Sequence, residues 1–393
     1  MAIKLPGRGY VYWQVGTGDS STVSVKKDDK VIQIDLHHMA KAEDKEEPHW
    51  PIVDELEKCL PKKNGKPYLA VFALTHPDKD HIQGFEELLK RITIGEIWQT
   101  PRIFTETMGE LCEDAKKFKK EVLRRRDVIM KNDVKDIKSG DRLIVIGHDE
   151  IFEKDDYKDF PKEFRAFPGK SIQKIDGEDV SKIFDAFVHA PFKIDSADAR
   201  NDTSLSLHIT LSTDDGTKTG TALFFGDRQY PTIKEIFDKT IEKKRFQYLK
   251  WDVMLVSHHC SKKVMYWPDE GEEDEKFKKD IMDCFEKYKN PGAYKIASCE
   301  SDFTDGDGDL PPHKKARNRY EEIVEKGHFI CTHEHPDDKK PEPIIFELTA
   351  NGLEYKAPNK KDDTGKKNEA SVFVAVRDKR GSDEPPTQKV TFG

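Results

Sequence analysis

The 393-residue chain has only six cysteines, Cys59, Cys112, Cys260, Cys284, Cys299 and Cys331, and no two of them form a CxxC pair. This scatter argues against a disulfide framework and against a cysteine-only zinc site, so reduced thiols are expected. Long apolar runs are also missing. The longest are about seven residues, against the ~20 needed to span a bilayer, and the N-terminus lacks the apolar core of a secretory signal. The expectation is a cytoplasmic protein without membrane contact. A basic excess is absent as well: 67 Lys and Arg stand against 75 Asp and Glu, a formal net charge of −8. This balance excludes a global positive field for gripping nucleic acid. The local basic run from Lys116 to Arg126 has acidic neighbours and reads as a solvated helix face. No internal repeat of fixed period is found.

What the chain does have is length enough for a sizeable core and a pattern of short strands interleaved with helices. Gly9 to Val15, Ser21 to Val25 and Val31 to Asp35 alternate with turn residues and describe a meander. Strands are also expected at Tyr68 to Leu74, Ile94 to Trp98, Arg142 to Ile146, Ile183 to Val188, Ser204 to Leu211, Thr221 to Phe225, Trp251 to Val256, Tyr294 to Ser298 and Ile344 to Leu348. Helical spacing marks Trp50 to Leu60, Phe85 to Lys90, Thr105 to Lys131, Pro231 to Lys243, Glu275 to Tyr288 and Ala316 to Glu325. Residues 1–355 read as one domain with insertions at about 105–135 and 148–180. Residues 356–393 read as a charged linker and C-terminal extension. Phe152, Phe160, Phe164 and Phe167 of the second insertion are expected to pack onto the core or to line a groove.

Three of these strands end in groups that bind metals. Tyr68 to Leu74 runs into Thr75-His76-Pro77-Asp78-Lys79-Asp80-His81, which places two imidazoles and two carboxylates within six residues. Phe224-Phe225-Gly226 delivers Asp227 at a glycine where backbone can approach closely, and Val256-Ser257 delivers His258 and His259. Asp35, at the end of the third meander strand, is expected either to orient a neighbouring metal ligand from behind or simply to cap a loop. A lone strand-to-helix turn would explain the first cluster, but it does not explain all three endings.

In order, Gln14-Val15-Gly16-Thr17-Gly18-Asp19-Ser20, Ile34-Asp35, His76 to His81, Asn201-Asp202-Thr203-Ser204-Leu205, Phe225-Gly226-Asp227 and Val256 to Ser261 resemble the landmarks of metallo-β-lactamase-fold hydrolases. More narrowly, they resemble the soluble hydrolase domain of ComEC-type competence proteins. The resemblance covers about Gly7 to Leu348. It implies a four-layer αββα sandwich of the α/β (α+β) class, here with helical and loop insertions, and two divalent ions, Zn or Mn, at one edge of the sheets. His76 and Asp78 would face one ion and Asp80 and His81 the other. Asp227 would bridge them, and either His258 or His259 would complete the second site. Asp78 stands where the family usually has histidine, and Asn201 and Asp202 stand near where many members supply another. A carboxylate in place of imidazole favours harder ions, which makes manganese an expected alternative to zinc. His313 matches a late histidine-bearing loop and is expected to contact a substrate phosphate, act as a general acid, or simply bond to backbone.

The expected function is metal-dependent hydrolysis, with a phosphodiesterase or nuclease using hydroxide activated by a dinuclear centre as the leading reading. Asp227 would bridge and Asp80 would steer the water, and nucleic acid or a nucleotide would be the substrate. Two alternatives remain open. One is a small-molecule hydrolase for a cyclic nucleotide, phosphocholine ester or lactone. The other is a degenerate, non-catalytic subunit working with protein partners in a defence or toxin-like assembly.

Overall fold

The computed structural model describes residues 3–39, 49–104, 111–153, 155–193, 201–306, 308 and 310–358. Met1 to Ala357 form one compact unit; the expected C-terminal extension lies outside the described residues beyond 358, as does the 105–110 start of the first expected insertion. Down the chain the elements are β1 (Gly9–Tyr12), β2 (Ser21–Lys26), β3 (Lys30–Ile34), α1 (Ile52–Cys59), β4 (Lys62–Lys63), β5 (Lys66–Ala73), α2 (Lys79–Ile82), α3 (Phe85–Arg91), β6 (Thr93–Gln99), α4 (Glu113–Lys131) and β7 (Arg142–Ile146). The short strands β8 (Arg165–Ala166), β9 (Ser171–Ile172), β10 (Lys174–Ile175) and β11 (Glu178–Asp179) follow. The second half holds β12 (Phe184–Ala190), β13 (Ser206–Ser212), β14 (Thr219–Phe224), α5 (Tyr230–Glu242), β15 (Trp251–Leu255), β16 (Tyr266–Pro268), β17 (Glu275–Phe277), α6 (Lys279–Tyr288), β18 (Lys289–Ala297), α7 (Lys314–Glu322), β19 (Phe329–Cys331), β20 (Ile344–Thr349) and β21 (Gly352–Lys356).

Two large sheets result. One runs β21-β20-β1-β2-β3-β5-β6-β7-β8, with β4 beside β5, and the other runs β19-β18-β15-β14-β13-β12-β9. In the second sheet the period of two divides β14, β15 and β18 between two cores. Leu207, Ile209, Leu211, Ala222, Phe224, Val253, Leu255 and Ile296 join the core shared with the first sheet. Leu223, Phe225, Trp251, Met254, Val256 and Ala297 join a separate cluster with Ile233 and Phe237 of α5, Phe285 of α6 and Tyr320 of α7. On the outer side of the first sheet, Phe72 packs against Phe85 of α3 and Phe118 of α4, with ring centroids 5.2 and 5.9 Å apart. The layers are therefore helix, sheet, sheet, helix, the αββα sandwich expected from the resemblance.

α4 is a structural layer and connects the parallel strands β6 and β7. Ala115, Phe118, Val122, Arg125 and Ile129 recur at helical spacing and are buried, while Glu113 and Asp114 in its first turn complement the helix dipole. Its basic run is largely neutralised: Lys117 pairs with Glu86, Arg124 with Glu121 and Asp141, and Arg126 with Asp127 and Asp156. The Arg125 guanidinium is buried and donates to the carbonyls of Ile94, Gly95 and Arg142. Residues 148–180 close one end of the sandwich, since β8 pairs with β7 of the first sheet and β9 with β12 of the second. Phe152, Phe160 and Phe164 are buried in the shared core and Phe167 packs beside them, which is packing rather than the lining of a groove. β21 completes a hairpin with β20 after the Ala350-Asn351 turn, a strand that sequence reading did not assign. Among the described residues no helix is long and apolar enough to cross a membrane.

Candidate metal centre

The carboxyl ends of β5, β14 and β15 meet at one edge of the sandwich. β3, β5 and β6 are mutually parallel, and so are β14, β15 and β18, so the ligand-bearing loops leave each sheet on a common side. Gly226 lets the two sheets approach there. Its φ is +58°, and a Cβ on it would fall 2.9 Å from Ser204 Cβ and 3.1 Å from Thr75 Cβ. The next residue, Asp227, is thereby carried from the second sheet to the histidines of the first.

At the centre, His81 Nε2 lies 3.2 Å from His259 Nε2 and 3.2 Å from Asp227 Oδ1. His259 Nε2 is also 3.4 Å from Asp227 Oδ2 and 3.1 Å from Asp80 Oδ2. Asp80, His81, Asp227 and His259 thus point ligand atoms at one another. Asp227 Oδ2 is also 3.7 Å from His76 Nε2 and 3.8 Å from His258 Nε2, and His76 Nε2 is 3.6 Å from Asp78 Oδ2. The structure therefore brings together all seven residues expected as ligands, with the Asp227 carboxylate facing four imidazoles.

Behind the ligands lie carboxylates and carbonyls that orient them. Asp35 is buried, accepts from His81 Nδ1 at 2.8 Å and is itself fixed by the Thr75 amide at 2.7 Å and hydroxyl at 2.6 Å. His259 Nδ1 faces the Ser298 carbonyl at 3.2 Å and Asp19 Oδ1 at 3.4 Å. A proton held on Nδ1 of each ring leaves Nε2 free to ligate. Single ligand atoms of Asp19, His81, Asp227 and His259 fall within 4.8 Å of one another. We nevertheless assign Asp19 to the outer layer and Asp80 to the inner one, because Asp19 approaches the Nδ1 atoms and Asp80 an Nε2. Asp19 and Ser298 were missed as site residues in the sequence. The signal for Asp19 was its place behind two glycines: a Cβ on Gly18 would lie 2.2 Å from His37 Nδ1 and 2.7 Å from the Asp80 carbonyl.

His258, His259 and Cys260 have φ of +52°, +50° and +64°, a run of left-handed backbone that is unfavourable for side-chain-bearing residues and characteristic of functional loops. The His258 amide and the Ser257 hydroxyl both donate to the Gly226 carbonyl, at 3.2 and 2.6 Å, which pins this loop to the one carrying Asp227. Asn201 and Asp202 stand on the short turn before β13, whose Leu205 amide donates to the Thr75 carbonyl at 2.9 Å. His313 is buried. Its amide donates to the Cys260 carbonyl at 3.1 Å, and its Nδ1 accepts from the Lys262 amide at 3.2 Å. Cys260 is a buried free thiol whose pKa burial pushes up.

The electrostatics suit a cation. Burial opposes charge on His81 and His259, yet Asp227, with Asp35 and Asp80 around His81 and with Asp19 beside His259, holds both imidazoles protonated well above their usual range. Asp227 is held well below the usual carboxylate range against its burial by His259, His81, His258 and His76. Burial, then the His81 charge, pushes His76 down to about 3. His76 Nε2 and Asp227 Oδ1 are buried without a well-formed hydrogen bond. A pocket of carboxylates balanced by protons on facing imidazoles, with acceptor atoms left over, fits nitrogen- and oxygen-preferring divalent ions.

No family model and no curated protein matches the chain. Among solved structures it is similar to the metallo-β-lactamase fold protein YhfI from Bacillus subtilis, with 11% identity over 86% of this chain and 99% of that one, at a TM-score of 0.36. It is similar to a diphosphatase from the PhnP family, with 10% identity over 80% and 81% at 0.33. It is also similar to BJP-1, a subclass B3 metallo-β-lactamase of Bradyrhizobium japonicum, with 16% identity over 64% and 75% at 0.29. Likenesses of this size carry no argument; the architecture stands on strand order and packing, and the site on its own side chains.

Proposed function

We propose that the chain is a metal-dependent hydrolase that cleaves phosphodiesters, as a nuclease or nucleotide phosphodiesterase, with two divalent ions in the centre. The observation that carries this reading is Asp227, whose carboxylate lies within 3.2 to 3.8 Å of Nε2 atoms of four histidines, His81, His259, His76 and His258. When bound, two such ions supply Lewis acidity at a phosphoryl oxygen and acidify water. Asp80, Asp227, His81 and His259 would hold one ion, and His76, Asp78, His258 and Asp227 the other. Asp35 and Asp19 keep the His81 and His259 rings turned towards them. The Asp80 side chain, about one-third exposed, is open to solvent and is the group assigned to orient the attacking water. Nδ1 of His313 accepts from the Lys262 amide, so its proton resides on Nε2, and contact with a substrate phosphate or general-acid action by this ring belongs to the same proposal. The phosphodiester preference rests on the ComEC-like motif order.

The test is incubation of the purified protein with manganese or zinc and labelled single- and double-stranded DNA, RNA and cyclic nucleotides. Cleavage abolished by Asp80→Ala and His81→Ala supports the reading, and cleavage unaffected by both sinks it. A small-molecule substrate on the same centre is the second reading, favoured by the net charge of −8 and by the ion-paired basic face of α4. Turnover of a cyclic nucleotide, phosphocholine ester or lactone without cleavage of any polymer would select it. Failure to take up even one ion per chain would select the degenerate, non-catalytic reading.

A further inference from the structure

We propose that Glu300 is a positioning residue for the metal centre: it holds the loop from Gly16 to Asp19 and, through Asp19, the imidazole of His259. The proposal rests on the metallohydrolase reading for its consequence and on independent geometry for its substance. Glu300 lies just beyond β18, two residues after Ser298. Its Oε1 is 2.7 Å from His49 Nε2 and its Oε2 is 2.7 Å from His333 Nδ1, so one carboxylate joins two imidazoles from distant parts of the chain. Gln14 reaches the same His333 nitrogen at 2.8 Å.

This bridge is seated against the loop. The Glu300 amide donates to the Thr17 hydroxyl at 3.2 Å, and a Cβ on Gly16 would lie 2.9 Å from both Glu300 Oε1 and His49 Nε2. Gly16 has φ of +75°, so glycine serves both the turn and the close contact. From there the connections run directly to the ligands. The Ser298 hydroxyl donates to the Gly18 carbonyl at 2.5 Å, the Asp19 amide donates to the Asp80 carbonyl at 3.0 Å, and Asp19 Oδ1 and the Ser298 carbonyl share His259 Nδ1. Burial raises the Glu300 carboxyl, but the bonds from His333 and His49 hold it down at about 2, and the bond to Glu300 raises His333. Glu300 is therefore held ionised, and its charge favours the protonated form of His333. None of these bonds is to a candidate ligand atom, so the effect on the centre passes through the loop.

The experiment compares the full chain with Glu300→Gln, measuring Mn²⁺ binding by calorimetry, hydrogen exchange of the peptide spanning residues 14–20, and the melting midpoint. Glu334→Gln, which removes the neighbouring ion pair with Arg317, is the control. Expected for Glu300→Gln are a Mn²⁺ Kd raised about tenfold and faster exchange in 14–20, with a midpoint close to that of Glu334→Gln. Thr17→Val, which deletes the hydroxyl accepting from the Glu300 amide, should shift both readouts the same way and serves if Glu300→Gln does not fold. A Kd within about twofold of the parent with unchanged exchange overturns the proposal. If the parent binds no Mn²⁺, the hydrolase reading fails, and the exchange of 14–20 decides this one alone: faster supports it and unchanged overturns it.

Discussion

Asp19 Oδ1 lies 3.4 Å from His259 Nδ1, while His259 Nε2 faces Asp80 and Asp227. Asp35 stands in the same relation to His81, at 2.8 Å. Each of the two facing imidazoles, one from each sheet, thus has its own carboxylate behind it. Such a partner fixes the tautomer, holds the ring angle and raises the basicity of the ligating nitrogen.

Asp19→Asn and Asp35→Asn keep side-chain volume and remove this charge. Each is expected to weaken Mn²⁺ binding by about 10- to 100-fold, as measured by calorimetry. Unchanged affinity in both variants would contradict the orienting roles.

Ion binding should release protons. The folded pKa values of His81 and His259 are raised above 6.5 by the carboxylates around them, so protons on this imidazole pair are displaced when a cation binds. Affinity should then rise with pH, by up to about two decades per unit while both protons are displaced. Titrations in buffers of different ionisation enthalpy count the protons, and a count of zero is the adverse result. The sign for stability is opposite. A raised folded pKa contributes stability that is complete below 6.5 and is lost as pH rises through the folded value. Chelator-treated protein should accordingly melt lower in alkaline buffer than near pH 6.

Gly18→Ala would drive a methyl group to within 2.7 Å of the Asp80 carbonyl and 2.2 Å of His37 Nδ1. Overpacking of this kind costs roughly 1–3 kcal/mol, and here it displaces Asp80. The melting midpoint and Mn²⁺ affinity should fall together; a soluble variant with parental values for both would refute the close packing.

The Glu300 bridge has its own pH window. Glu300 has a folded pKa of about 2 against an ordinary 4.5, so its contribution is present above 4.5 and is lost as pH falls towards 2. His333 is raised above 6.5, so its contribution is complete below 6.5 and is lost as pH rises through the folded value. The difference in melting midpoint between the parent and Glu300→Gln should be largest between about pH 5 and 6.5 and narrow on both sides. A difference that does not vary with pH counts against an ionic bridge.

Phe118→Ala separates a layer helix from a surface insertion. The ring contacts Phe72, Phe85 and Phe104 at centroid distances of 5.9, 5.0 and 6.0 Å. Denaturant unfolding should show a loss of about 3–5 kcal/mol, the usual cost of truncating a buried phenylalanine.

Much of the fold, and the convergence of the residues expected as ligands, were legible because both rest on short-range signals. Alternating strands reveal the sheets, and strand ends such as Gly226-Asp227 and Ser257-His258-His259 show where ligands emerge. What remained hidden depends on long-range partners. Asp19 looked like a turn residue until His259 and His81 were placed beside it, and Ser298 acts through its carbonyl, which carries no sequence signature. α4 read as part of an insertion because its charged face dominates its composition, whereas one apolar stripe with Phe118 and Val122 decides its position. His333 carried too little local information, since Glu300 and His49 arrive from other segments.

The order of the strands also bears on synthesis. β1 is flanked by β2 and β20, with Gly9 opposite Glu347, and the Gly7 amide donates to Glu347 Oε1 340 residues away. Tyr10 completes its hydroxyl bonds only with the carbonyls of Ile209 and Gly220 in the second sheet. One edge of β1 therefore stays unpaired until β20 has been translated, so nascent chains present an open strand edge that favours intermolecular pairing. Occupancy by holdase chaperones should therefore persist on nascent chains until residues 344–349 have emerged.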